Sequence, residues 1–236
     1  EPTIDYVVTK IPRFTFEKFP GTEALLSSSM KSVGEAMSIG SDFAESLQKG
    51  LRSMETGLTG LNEVEGFDGD GAEDILAELR LARPDRLLLI AQAFRLGHDL
   101  EDIQESCKYD PWFLRQIETL VAAEARIKSD GLPEDAAGLL ALKKMGFSDE
   151  RLGELTGQGA ASIIAKRREL DIGPAYKRVD TCAGEFPSQT SYMYSTYSGD
   201  GLGPADCEAE PTDRRKAVIL GGGPNRIGQG IEFDYC

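Results

Sequence analysis

The residues best placed to do chemistry are the glycines of Ala217-Val-Ile-Leu-Gly-Gly-Gly-Pro-Asn-Arg-Ile-Gly-Gln-Gly230. An apolar run enters a turn with no Cβ at Gly221, Gly222, Gly223, Gly228 and Gly230. Such a turn can bring backbone N–H groups up to an anion. The spacing from Gly223 to Gly228 is that of a P-loop, yet Gln229 and Gly230 stand where lysine and serine or threonine would hold phosphate and magnesium. A dinucleotide fingerprint fails as well. It needs glycine at Arg226 when counted from Gly221, and at Asn225 when counted from Gly223. The loop is a backbone anion site or a structural tight turn, and it carries neither nucleotide motif.

Other reactive residue types are scattered. His98, in Gly97-His-Asp99, has no second histidine and no metal-ligand spacing, and reads as a capping or surface residue. Cys107, Cys182, Cys207 and Cys236 show no Cys-x-x-Cys spacing and read as reduced thiols of a cytoplasmic protein rather than a metal cluster or disulfide framework. Asp68-Gly-Asp-Gly-Ala-Glu-Asp74 opens like a calcium loop, but its fifth position is Ala72 and its sixth, where glycine is needed, is Glu73. No metal site is expected. Ser148 to Gly159 followed by Ile163, Ile164, Lys166, Arg167 and Arg168 imitates a helix-turn-helix. Its basic residues sit late in the second helix, where they complement the helix dipole, and Ala160, Ala161 and Ser162 offer little to a base edge. The charge balance of 26 basic against 40 acidic residues further opposes nucleic acid as a partner. No apolar run reaches the roughly 20 residues of a membrane span, so no membrane partner is expected.

The elements that must position these residues fall into three regions. Residues near 4 to 8 and 30 to 39 read as strands. A helix with Ser41 as its N-cap follows, with Phe43, Leu47, Leu51 and Met54 on one face. From about Gly71 to Ile172 the pattern is helical, with six or seven helices expected. Ile75, Leu76 and Leu79 mark the first, Pro84 starts the second, and Asp110-Pro111 caps and opens a long one whose Phe113, Ile117, Leu120 and Ile127 share a face. Pro133 starts another that ends at Met145-Gly146, and Ser148 caps one more. Gly199 to Pro204 and the acidic run around Glu208 and Glu210 have linker composition. Ala217 to Leu220 reads as a buried core strand.

Four ordered phrases then resemble one family. Asp5-Tyr-Val-Val-Thr-Lys-Ile-Pro-Arg-Phe14 with Phe16-Glu-Lys-Phe19 and Met30-Lys-Ser-Val-Gly-Glu35, then Tyr176-Lys-Arg-Val-Asp-Thr-Cys182, Tyr192-Met-Tyr-Ser-Thr-Tyr197 and the glycine-rich loop are similar to the middle of the carbamoyl phosphate synthetase large chain. The resemblance runs from end to end. It implies a mainly α segment: residues 1–54 closing a first (carboxyphosphate) synthetase unit, 55–208 an all-helical oligomerisation domain, and 209–236 opening a second (carbamoyl phosphate) unit, the flanks being incomplete α/β ATP-grasp pieces. With no initiating methionine and an end inside a motif, the chain is expected to be a segment of a longer one.

The resemblance also implies a parent ligase. That enzyme makes carbamoyl phosphate for arginine and pyrimidine synthesis from bicarbonate, two ATP and ammonia released from glutamine by a small amidotransferase subunit. ATP, Mg²⁺ or Mn²⁺ and K⁺ belong to the parent, and this segment is expected to bind none of them and to be inactive alone. Its expected partners are other large chains. Met30, Glu35 and Gly230, with Glu232 close by, match positions lining the family's passage for carbamate, a labile species that a walled route would protect. Read from the residues alone, Met30 on a strand is more often a core residue than a passage lining, and Glu35 a cap or an ion-pair partner. Glu17, Lys18, Lys177 and Arg178 read as structural ion-pair candidates. The alternatives are an autonomous helical interaction scaffold and the DNA-binding module.

Overall fold

A computed structural model describes residues 5–16, 21–67, 74–179, 181, 185–188, 190–201, 205–220 and 225–226. Strand β1 (Val7–Arg13) pairs antiparallel with β2 (Gly34–Gly40), in register from Val7 opposite Gly40 to Arg13 opposite Gly34. Helix α1 (Phe43–Ser53) packs across them. Gly50 permits the close approach, because a Cβ there would lie 2.8 Å from Ile11 Cδ1 and 2.9 Å from Ser38 Oγ. The N-cap of α1 is Asp42, whose carboxylate accepts from Glu45 N at 2.9 Å. Ser41, expected in that place, instead donates from its N–H and hydroxyl to the Glu45 carboxylate. Two adjacent cap-forming residues compete for one position, and Asp42, with extended backbone, takes it.

Seven helices follow among the described residues: α2 (Ile75–Leu79), α3 (Arg86–Arg95), α4 (Leu100–Cys107), α5 (Pro111–Asp130), α6 (Ala136–Lys144), α7 (Asp149–Thr156) and α8 (Ala160–Glu169). Asp110 and Ser148 cap α5 and α7 as expected. Pro84 and Pro133 do not open helices. Each lies two or three residues before one, where Asp85 and Asp135 hold the N-cap positions. The core face of α5 also differs from expectation. Leu114 is buried and Phe113 is 43% exposed, because Phe113 turns outward to meet Phe43 and Trp112 edge to face at ring separations of 5.2 and 5.0 Å.

After α8, β3 (Ala175–Arg178) and β4 (Met193–Thr196) form a second antiparallel sheet, with Ala175 opposite Thr196. The short β5 (Asn225–Arg226) adds to the free edge of β2. The chain is therefore a mixture of helices with two small sheets rather than mainly helical. One apolar cluster runs from Ile11 and Ala36 in the sheet through Leu47, Leu89, Ile117 and Phe147 to Ile172, so strands and helices share a core.

Two expectations about the last third are corrected. Val218, Ile219 and Leu220 are not a buried strand; they are irregular and 83 to 92% exposed. A core strand needs paired neighbours and covering layers, and no described residue supplies them. The acidic stretch is no free linker either. Glu208 N donates to Tyr176 O at 2.8 Å, and Lys177 reaches Asp206 at 2.6 Å and Glu208 at 3.3 Å.

Candidate functional site

Strand pairing brings together two of the segments singled out in the sequence. Glu35 of β2 lies opposite Asn225 and Gly34 opposite Arg226, so the middle of the glycine-rich stretch runs beside Glu35. The Glu35 carboxylate meets Lys10 Nζ at 3.0 Å, both side chains about half exposed. Met30 is on no strand and in no core; it lies in the connection before β2, 85% exposed. Gly221, Gly222, Gly223, Gly228, Gly230 and Glu232 lie outside the described residues, as do Glu17, Lys18, Cys182, Cys236 and most of the Asp68–Asp74 stretch. Of the ion-pair candidates, Lys177 pairs with two carboxylates. Burial opposes its charge, but Asp206 and Glu208 outweigh that and raise its pKa. Arg178 makes no ion pair among the described residues; its guanidinium donates to Thr190 O and its backbone N–H to Glu208.

The densest polar chemistry is a joint around α1. The Glu45 carboxylate, 2% exposed, accepts from Ser41 and from Thr196 Oγ1 at 2.8 Å. One turn on, Lys49 Nζ donates to Ile39 O at 2.5 Å and Ser195 O at 2.6 Å. These two side chains tie the end of β2 to β4 through a single helical turn. Beyond them, Gln48 and Arg52 donate to the carbonyls of Met145 and Gly146 at the C-terminal end of α6. Gly146 has φ +88, and a Cβ there would lie 2.8 Å from Glu45 Cα. Lys143 Nζ donates to Phe147 O at 2.6 Å and pairs with Asp149 at 2.9 Å, which also holds Arg167 at 3.0 Å. Burial lowers the pKa of Lys49, Arg52 and Lys143 alike. Burial would raise that of Asp149, but hydrogen bonds from Arg167 and Lys143 prevail and lower it. A polar cavity of about 220 Å³ opens among these groups.

A second network lies deeper. Arg151, 2% exposed, donates from Nε to Glu124 at 2.8 Å and from Nη1 to Glu63 at 2.9 Å. Glu124, 3% exposed, also takes Arg95 at 2.7 Å. Burial opposes the charge of Arg151, yet Glu124 and Glu63 outweigh it and raise its pKa. The network clamps the segment around Leu61 and Glu63 to α3, α5 and α7. Sequence reading missed it, although a signal was present: Glu124 interrupts the apolar series Leu120, Ile127, and Arg151 lies one turn before Leu155 on a buried stripe.

These arrangements can hold elements in register. No group of three or more His, Cys, Asp or Glu among the described residues could hold a metal ion. His98 is half-buried after α3, and its backbone N–H donates to Ala93 O. Cys107 is buried and Cys207 exposed, neither bridged. No described helix is long and apolar enough to cross a membrane. Two of the three basic residues of α8 are engaged within the chain: Lys166 with Glu134 at 3.1 Å and Arg167 with Asp149.

Buried ion pairs bind the described strands and helices to one another. The family model described as carbamoyl-phosphate synthetase large chain, oligomerisation domain, matches residues 35–171, and the carbamoyl phosphate synthase preATP-grasp domain matches residues 213–236. The chain belongs to the carbamoyl phosphate synthetase large-chain family. It is 60% identical over 240 residues to the carbamoyl phosphate synthase large chain of Rhizobium meliloti (strain 1021), and 57% identical over 239 residues to that of Brucella melitensis biotype 1. The large chain of Xylella fastidiosa (strain 9a5c) is 55% identical over 240 residues. Each match covers 100% of this chain but only 21 to 22% of the relative, so the chain spans about a fifth of the length of these relatives.

Proposed function

We propose that this chain is the connecting and self-associating segment of a glutamine-dependent carbamoyl phosphate synthetase. The observation that carries the reading is the match of 100% of this chain to about a fifth of large chains bearing that name. In this reading the parent enzyme is a cytoplasmic ATP-dependent carbon–nitrogen ligase that uses bicarbonate, ATP and ammonia from an amidotransferase subunit. Residues 1–54 and 209–236 belong to its two synthetase units, and the helices between join them. The joint of Glu45 and Lys49 supports a connecting role, since it ties β2, preceding helices α2 to α8, to β4, following them.

The same reading gives Glu35 and the neighbouring glycine-rich loop a place beside the route of carbamate between the units. Adjacency of Glu35 to Asn225 supports it. A bulky side chain at Gly230 would narrow such a route without removing an ATP ligand. In the full-length enzyme, Gly230→Phe should leave bicarbonate-dependent ATP hydrolysis and carbamoyl-phosphate-dependent ATP synthesis largely intact while net product formation falls. Parallel loss of all three activities would remove the assignment.

A further inference from the structure

Helix α5 carries a face that the rest of the described chain leaves uncovered. Its 20 residues span about 30 Å at 1.5 Å per residue. Arg115, Glu118, Thr119, Ala122, Ala125, Arg126 and Ser129 are all exposed and fall within one sector of the helix. The ion pairs α5 makes among the described residues use Glu124 and Lys128, which leaves Arg115, Glu118 and Arg126 with none. Beside this face runs a groove of about 470 Å³ lined by Phe94, His98, Val121, Ala122, Ala125 and Lys128.

The charges on this face are complementary to themselves when reversed. Glu118 and Arg126 stand equally far on either side of Ala122, one turn each way. Two such helices placed antiparallel about a twofold axis through Ala122 set Glu118 of each against Arg126 of the other. Ala122 then meets Ala122, and Arg115 faces Ser129. Alanine at the crossing allows an interaxial distance near the lower end of the usual ~8–10 Å, and a twofold contact must be self-complementary in this way.

We propose that the outer face of α5 is where a second copy of this chain docks, antiparallel, with reciprocal Glu118–Arg126 pairs closing the contact. This rests on the self-associating reading above and names its surface. A parallel arrangement would set Glu118 against Glu118 and Arg126 against Arg126, so the same charges that favour one orientation oppose the other.

The test is sedimentation equilibrium of the 236-residue chain as wild type, Glu118→Arg, Arg126→Glu and the double variant, with helicity confirmed by circular dichroism. Both residues are exposed, so the fold should tolerate each change. Each single variant should weaken the dimer roughly tenfold or more, and the double variant should recover most of that loss. A wild-type dimer unchanged by either single variant would overturn the α5 contact while leaving self-association standing. So would single-variant losses that simply add in the double. A wild type that stays monomeric throughout would overturn both.

Discussion

The buried Glu124 carboxylate offers the sharpest energetic test of the fold. Replacing it with glutamine keeps its shape but removes the charge that Arg151 and Arg95 share at 2.8 and 2.7 Å. Hydrogen bonds to charged groups contribute about 1.5–3 kcal/mol each, and breaking a buried pair costs about 3–5 kcal/mol because the stranded charge has no solvent. Arg151 keeps Glu63 and Arg95 keeps the Leu61 carbonyl, so the lower half of that range, about 3–4 kcal/mol, is expected. For a chain of this size that corresponds to a fall in Tm of roughly 10 °C. The internal control is Glu63→Gln. It touches the same Arg151, but its carboxylate is 43% exposed and screened, so about 1 kcal/mol or less is at stake. Urea denaturation followed by far-UV circular dichroism would give both values, with unchanged slopes expected. If the two variants lost stability equally, burial would not be what gives the network its weight.

Acid sensitivity should trace to the same cluster. Burial would raise the pKa of Glu63, but hydrogen bonds from Arg151 and Lys128 outweigh it and hold it at about 2. A depressed carboxylate stabilises the fold above its unfolded value near 4.3 and loses that contribution as pH falls toward 2. The Glu63→Gln variant should therefore show a shallower loss of stability between about pH 4.5 and 2 than wild type, and an identical slope would contradict the pairing. Calorimetric titration of the isolated chain with magnesium-ATP should give no saturable heat, since the glycine-rich loop lacks the P-loop lysine; micromolar binding would refute this.

Strong local signals were legible in the sequence. The caps at Asp110 and Ser148, the run of helices between Gly71 and Ile172 and the strand character around β1 and β2 each leave a short-range pattern that a single segment displays, whereas β3, β4 and β5 were not read as strands. Less legible was what depends on distant partners. Asp42 outcompetes Ser41 only once Ser41 can turn to Glu45. Phe113 leaves the core because Phe43 and Trp112 receive it outside, and the 217–220 run lies exposed because its apolarity has no described sheet to join. The Arg151–Glu124 pair was visible as two charges on apolar stripes, yet neither stripe reveals that they face one another. At the candidate passage, Glu35 was placed beside the loop by strand pairing, a long-range event. Met30 sits in solvent, away from any core.

The central claim is that this segment works by holding two synthetase units in a common frame. Lys49→Met in the full-length large chain tests it most directly, because that ammonium ties Ile39 of β2 to Ser195 of β4. The measurement compares bicarbonate-dependent ATP hydrolysis, carbamoyl-phosphate-dependent ATP synthesis and net carbamoyl phosphate formation in one preparation. The two partial reactions should stay within about twofold of wild type while net formation falls about tenfold or more, a loss equivalent to ~1.4 kcal/mol of coupling. Net formation that tracks the partial reactions, whether all three hold or all three fall, would contradict it.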